Sequence, residues 1–318
     1  MNRGKSGLSL GVLRTGYSRH NGATNVCEQC CARRSGLLSY KDQSDTAWHR
    51  HTELSHESYL RTNHSNDLSP WVTYPDFNIR FHRGCTQHIL FQEGVASFVA
   101  FLKLLVFQGR FGLGDLASRI EFAFLTFANS KYYFKDRHKP AAWTIRRLHM
   151  NANTFPRVGA LYKHGQVRAF LRFTAHEADL AVGNGAPESM QLASACVRSL
   201  DAFVQLLDSR PCVLSDHDRM TAFNLGRQFR NTYTVLLTMS EMTGDFVWGA
   251  TPKCHQLDHC ISHLSLSCMN SLYQWACWTE ESFMGVSAST TRSVTAMDAG
   301  LISSLEKCVL WLHSDFGC

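Results

Sequence analysis

Charge is what this chain has least of. Asp, Glu, Lys and Arg make up 18% of its 318 residues, below the quarter common in globular domains. It also lacks an uninterrupted apolar run long enough to span a bilayer. The most apolar stretch, "ILFQEGVASFVAFLKLLVF" (89–107), is broken by Glu93 and Lys103 and reads as a buried helix, so no membrane partner is expected. No secretory leader is visible, because the apolar part of "MNRGKSGLSLGVLRTG" is short and broken by glycine. Without such a leader, the 12 cysteines read as reduced thiols of an intracellular protein, nuclear or cytoplasmic, and not as a disulfide framework. "GRFGLGD" (109–115) lacks the Lys-Ser/Thr of a phosphate-binding loop and reads as a turn. There is no internal repeat.

What the chain does have is an apolar share of 44%, enough for a real core. A net charge of +6 is compatible with nucleic acid as a partner without requiring it. Character changes near residue 80, and the domain boundary is placed at 75/76. Residues 1–75 are polar and rich in His and Ser, and read as a poorly ordered segment. Residues 76–318 carry helical periodicity and read as one helical domain. The expected fold is mainly α, an antiparallel helical assembly joined by short turns.

The clearest helix is 187–208, with Pro187 in the first turn, Glu188 at the positive end, and a stripe of Ala193, Cys196, Val197, Leu200, Phe203, Val204 and Leu207. A second, 216–243, has Ser215 as N-cap, a stripe of Met220, Phe223, Phe229, Tyr233, Leu236 and Met239, and Gly244 as its stop. Residues 115–135, 156–182 and 297–313 also fit helices, and 143–150 fits a short strand or a helical turn. Thr251 and Pro252 form a helix start, as cap and first helical residue.

That last helix reads "PKCHQLDHCISH" (252–263). His255 and His259 stand one turn apart on one face and can grip a metal, while His263 drifts about 40° round. The alternative is that the histidines hydrogen-bond within a packed helix pair. Zincin chemistry needs Glu after the first His; Gln256 stands there and cannot take a proton. A second candidate is "CEQCC" (27–31), where Cys27 and Cys30 have the gap of a zinc knuckle, to be completed by His49, His51 or His56, or are incidental thiols. Zn²⁺ is the cofactor either site would take.

"NSKYYFKDRHKPAAWTIRRLH" (129–149) interleaves Lys131, Lys135, Arg137, Lys139, Arg146 and Arg147 with aromatic rings. Such cations can neutralise phosphates while rings stack on bases; the plainer reading is a solvated basic edge over buried aromatics.

"PKCHQLDH" (252–259), followed by "CWTEESFMG" (277–285), resembles a signature of transposase-like proteins of CACTA-type and Plavaka-type mobile elements. Multicopy protist proteins look similar over roughly residues 76–300. Upstream, "PDFNIRFHRGCTQHILFQEGVASFVAFL" offers Asp76, Gly84 and an apolar helix, with Ile79 where the family pattern has His. The resemblance implies an RNase H-like nuclease, of which this chain would hold the helical insertion and C-terminal part. Asp76 and Glu281 (or Glu280) would then be carboxylate ligands of Mg²⁺ or Mn²⁺ in a two-metal site acting on DNA. Residues 1–75 supply no strand series to carry a first aspartate, so the expectation is a fragment or inactive copy with nucleic-acid contact. The alternative function is a non-enzymatic helical interaction module with an N-terminal zinc site; its protein partners cannot be named from sequence.

Overall fold

The computed structural model describes residue 27 and residues 29–62, 86–91, 94–96, 116–130, 164–182, 185–210, 213–244 and 248–265. The chain divides into two units, Met1–Trp275 and Ala276–Cys318, and every described residue belongs to the first. The described residues are mainly helical: α1 (His56–Thr62), α2 (Thr86–Leu90), α3 (Leu116–Ser130), α4 (His164–Ala181), α5 (Glu188–Ser209), α6 (Asp216–Thr243) and α7 (Pro252–Leu264). Among them the only β pairing is an isolated bridge between Arg33 and Ser39. No described helix is long and apolar enough to cross a membrane.

The core is built where the periodicity puts it. All seven residues of the α5 stripe are buried, and its Val, Leu and Phe side chains each contribute about 1.5–3 kcal/mol of apolar burial. α5 packs along α6 on one side and α4 on the other; the short connections between these helices impose antiparallel neighbours. α3 closes on α4 through aromatic rings, Phe124 lying 5.5 Å from Phe173 and Phe127 5.7 Å from it. Ion pairs Arg168–Asp208 (3.1 Å) and Arg198–Asp179 (2.9 Å) edge the contact between α4 and α5.

α6 is capped as its sequence predicts. The Ser215 hydroxyl accepts the Asp218 amide, and Gly244 ends the helix in the left-handed region at φ 69°. Its buried face differs from the predicted stripe. Met220 is 40% exposed, while Ala222, Gly226, Phe229, Arg230, Tyr233, Leu236, Leu237 and Ser240 are buried. Six residues turn a helix through about 600°, so Met220 falls about 120° away from Gly226 and outside the stripe. Two other expectations at helix starts need correction. Pro187 occupies the N-cap of α5, ahead of its first turn. Thr251 is the N-cap residue of α7 but its hydroxyl makes no capping bond; it lies 3.8 Å from the Cys254 sulfur.

α7 crosses close to α6 at Gly226. A Cβ there would stand 2.7 Å from the Ile261 Cγ1, so the missing side chain lets the two backbones approach. The predicted helix over 297–313, the segment 143–150 and most of 89–107 lie outside the described residues; of the last, Ile89, Leu90, Phe91, Val95 and Ala96 are buried.

Residues 29–62 hold little regular structure: a 3-10 turn at Trp48–Thr52 and α1. They are nevertheless packed. Ala32, Tyr40, Gln43, Ala47, His49 and Tyr59 are buried. The Tyr40 hydroxyl donates to the Ala250 carbonyl at 3.2 Å, and the Gln43 amide to Thr234 Oγ1 at 3.1 Å. The segment is thereby placed against α6 and the start of α7.

Candidate metal centre

Two half-sites that are separate in sequence meet in space. On α7, the four-residue step from His255 to His259 points both Nε2 atoms the same way, 3.1 Å apart. Cys27 Sγ lies 3.2 Å from His259 Nε2, and Cys30 Sγ lies 3.3 Å from His255 Nε2. The four atoms all fall within 4.8 Å of one another. A tetrahedron with metal–sulfur bonds of about 2.3 Å and metal–nitrogen bonds of about 2.0 Å has edges of roughly 3.3–3.8 Å, so the observed separations sit close to that figure. This cluster can hold a metal ion.

The sequence reading sought the partners of Cys27 and Cys30 at His49, His51 or His56. That pairing is not the one found. His49 is buried and its Nε2 meets Asp258 Oδ2 at 3.3 Å, and exposed His51 stands edge-on to Trp48 with ring centres 6.4 Å apart. The cysteines lie 225 and 232 positions before their histidines, too remote for spacing rules to connect. The signal was present all the same: a Cys pair and a His pair, each at ligand spacing, together make four ligands.

The backbone supports the sulfur side. The Gln29 amide donates to Cys27 Sγ at 3.3 Å, the Cys31 amide to Thr52 Oγ1 at 3.0 Å, and the Leu54 amide to the Gln29 carbonyl at 2.8 Å. On the imidazole side, His259 Nδ1 meets Glu53 Oε1 at 3.3 Å, the carboxylate–histidine pairing that orients a ligand ring. His263 follows the predicted drift: it is buried and stacks on His259 at 6.1 Å, outside the four-atom cluster.

Protonation follows from this crowding. Burial opposes ionisation of Cys27, yet a hydrogen bond from Cys30 and the charges of His259 and His255 hold its thiol well below the ordinary value. The Cys27 thiolate in turn pushes the Cys30 thiol up through its hydrogen bond, with burial adding to the effect. Burial works against a charge on His259 too, but the Cys27 thiolate and Glu53 raise it to about 10. His255 is lowered by burial. Without metal, these effects favour the ionised forms of Cys27 and His259 and the neutral forms of Cys30 and His255.

Asp258, between the two histidines in sequence, faces another way and organises a second cluster. Its Oδ1 accepts from Arg230 Nη1 at 2.5 Å and from Arg50 Nη2, while His49 meets its Oδ2. Burial would raise this carboxyl, but His49, Arg50 and Arg230 hold it well below the usual carboxylate range. Arg50 also donates to Ser262 Oγ at 2.7 Å, and Arg230 pairs with Asp45 at 3.0 Å. None of this network was foreseen, because a lone Asp, Arg or His carries no spacing signature.

The carboxylates Asp76 and Glu281, and the basic residues Lys131, Lys135, Arg137, Lys139, Arg146 and Arg147, lie outside the described residues. The chain matches no family model, no curated protein and no solved structure.

Proposed function

We propose that the protein is a non-enzymatic helical interaction module in which a structural Zn²⁺ at Cys27, Cys30, His255 and His259 fastens the N-terminal segment to the helices. The observation that carries this reading is the convergence of two sulfurs and two Nε2 atoms within 4.8 Å. Two thiolates with two imidazoles suit Zn²⁺, whereas Mg²⁺ and Mn²⁺ call for oxygen ligands. Four protein ligands complete a tetrahedron and leave no position for a reactive water, which favours a structural ion over a catalytic one. Gln256 cannot act as a base, and Glu53 is turned to His259. Metal analysis of the purified chain tests this: about one zinc per chain, lost in Cys27→Ser and Cys30→Ser, is expected. Substoichiometric zinc that those substitutions leave unchanged would refute it.

A transposase-derived origin is a second proposal, supported by the 252–285 motif and by Asp76. In that reading the histidines of the motif serve the fold, and Asp76 and Glu281 would serve Mg²⁺ or Mn²⁺. Divalent-metal-dependent nicking of DNA, abolished in Glu281→Gln, would support an active nuclease; no nicking would leave an inactive copy or the module above.

A further inference from the structure

Two unlike fastenings hold the N-terminal segment to α6 and α7, beside the contacts of Tyr40 with Ala250 and Gln43 with Thr234. One is the cluster of Cys27 and Cys30 with His255 and His259. The other is made of charges: Arg50 and His49 on Asp258, Arg50 on Ser262, and Asp45 on Arg230. Between them runs an exposed loop, Arg33 to Leu37, that turns at Gly36 with φ 81° and is closed by the Arg33–Ser39 bridge. The second fastening contains nothing a mild oxidant can change. The first depends on two sulfurs within 4.8 Å of each other, separated by two residues. Cys27 is the less buried of the two sulfurs and so the first a small oxidant would meet, and exposed Cys31, next to Cys30, serves as a built-in comparison.

Resting on the zinc reading above, we propose that the Cys27–Cys30 pair is a redox-operated latch: a peroxide converts it to a disulfide, the metal leaves, and residues 27–37 detach from α7 while residues 38–53 stay docked through Tyr40 and the charged fastening. The Cys27 thiolate attacks one peroxide oxygen, the O–O bond breaks, and a sulfenic acid and hydroxide form. The Cys30 thiolate then attacks the Cys27 sulfur; the S–S bond forms, the S–O bond breaks, and a second hydroxide leaves. The two sulfurs give up two electrons, and two protons from solvent turn the hydroxides into water. With both sulfurs consumed, the ion keeps only two imidazoles and its affinity collapses. A dithiol reductant returns the two electrons and restores the site. The charged fastening survives because no atom in it is oxidised.

The test treats the zinc-loaded full chain with hydrogen peroxide and follows three readouts: free zinc by a colorimetric chelator, disulfides by peptide mapping, and tryptic cleavage after Arg33 and Arg34. The latch predicts release of about one zinc per chain, a Cys27–Cys30 disulfide, and cleavage at those arginines faster by about tenfold or more as the loop opens. All three should reverse with dithiothreitol, and Cys31→Ser should respond like the parent. Zinc retained while Cys31 alone is oxidised would overturn the latch and leave the zinc site standing. Zinc released with no faster cleavage would overturn the detachment. A chain that neither carries nor takes up zinc would remove the zinc reading and the latch together.

Discussion

Asp258→Asn removes one charge and almost no volume, which makes it a sharp probe of the buried network. The wild-type carboxylate is 2% exposed, as is Arg230, and Arg50 is 17% exposed. Breaking one side of a buried ion pair costs about 3–5 kcal/mol, since the remaining charge stays desolvated. Arg230 keeps a second counter-charge in Asp45, 36% exposed at the rim, which places the loss near the lower end, at about 3 kcal/mol. At about 2–4 °C per kcal/mol for a unit of this size, Tm should fall by about 6–12 °C. The sign with pH is fixed by the depressed carboxyl. A group whose folded value lies below its unfolded one stabilises above the unfolded value and loses that contribution as pH falls. The gap between wild type and Asp258→Asn should therefore persist from pH 5 to 8 and narrow below about pH 4. Adding Arg230→Met should recover part of the loss, because the stranded cation is then gone. Calorimetry on zinc-loaded protein measures all of this. An Asp258→Asn chain within about 0.5 kcal/mol of wild type, with its metal retained, would refute the view that these charges hold the segment.

Three further outcomes follow from the same geometry. Zinc uptake near neutral pH should release protons, those of Cys30 and His259 among them, so affinity should rise as pH rises from about 6 to 8. The direction is set by both groups being held protonated in the metal-free cluster; a pH-independent affinity by calorimetric titration would contradict it. Removing the metal with a chelator should speed tryptic cleavage after the already exposed Arg33 and Arg34 while sites in α5 and α6 stay protected, because the long helices are packed by their own apolar stripes. Gly226→Ala should cost about 1–3 kcal/mol in denaturant unfolding, since its Cβ would press on Ile261 at 2.7 Å.

How much of this was legible in sequence follows from the range of each signal. The α5 stripe was readable residue by residue, because burial against both α4 and α6 selects apolar side chains at every third or fourth position. The caps of α6 were readable for the same local reason, a side chain or a left-handed glycine meeting its own backbone. Met220 was not: it follows the apolar pattern in composition but not in phase. At the site, each ligand pair was visible at its own spacing, and the join was not. No local rule links Cys30 to a histidine 225 positions away, and the nearer histidines drew attention first. The Asp258 network was wholly illegible, since single charged residues on a helix usually read as a solvated face.

X-ray absorption at the zinc edge of the purified full-length chain tests the central claim most directly. The account predicts a bound ion with two sulfur neighbours at about 2.3 Å and two nitrogen neighbours at about 2.0 Å, the sulfur shell reduced in Cys27→Ser and the nitrogen shell in His259→Ala. A first shell of oxygen and nitrogen without sulfur, or a folded chain with no affinity for zinc while all four residues are intact, would contradict it.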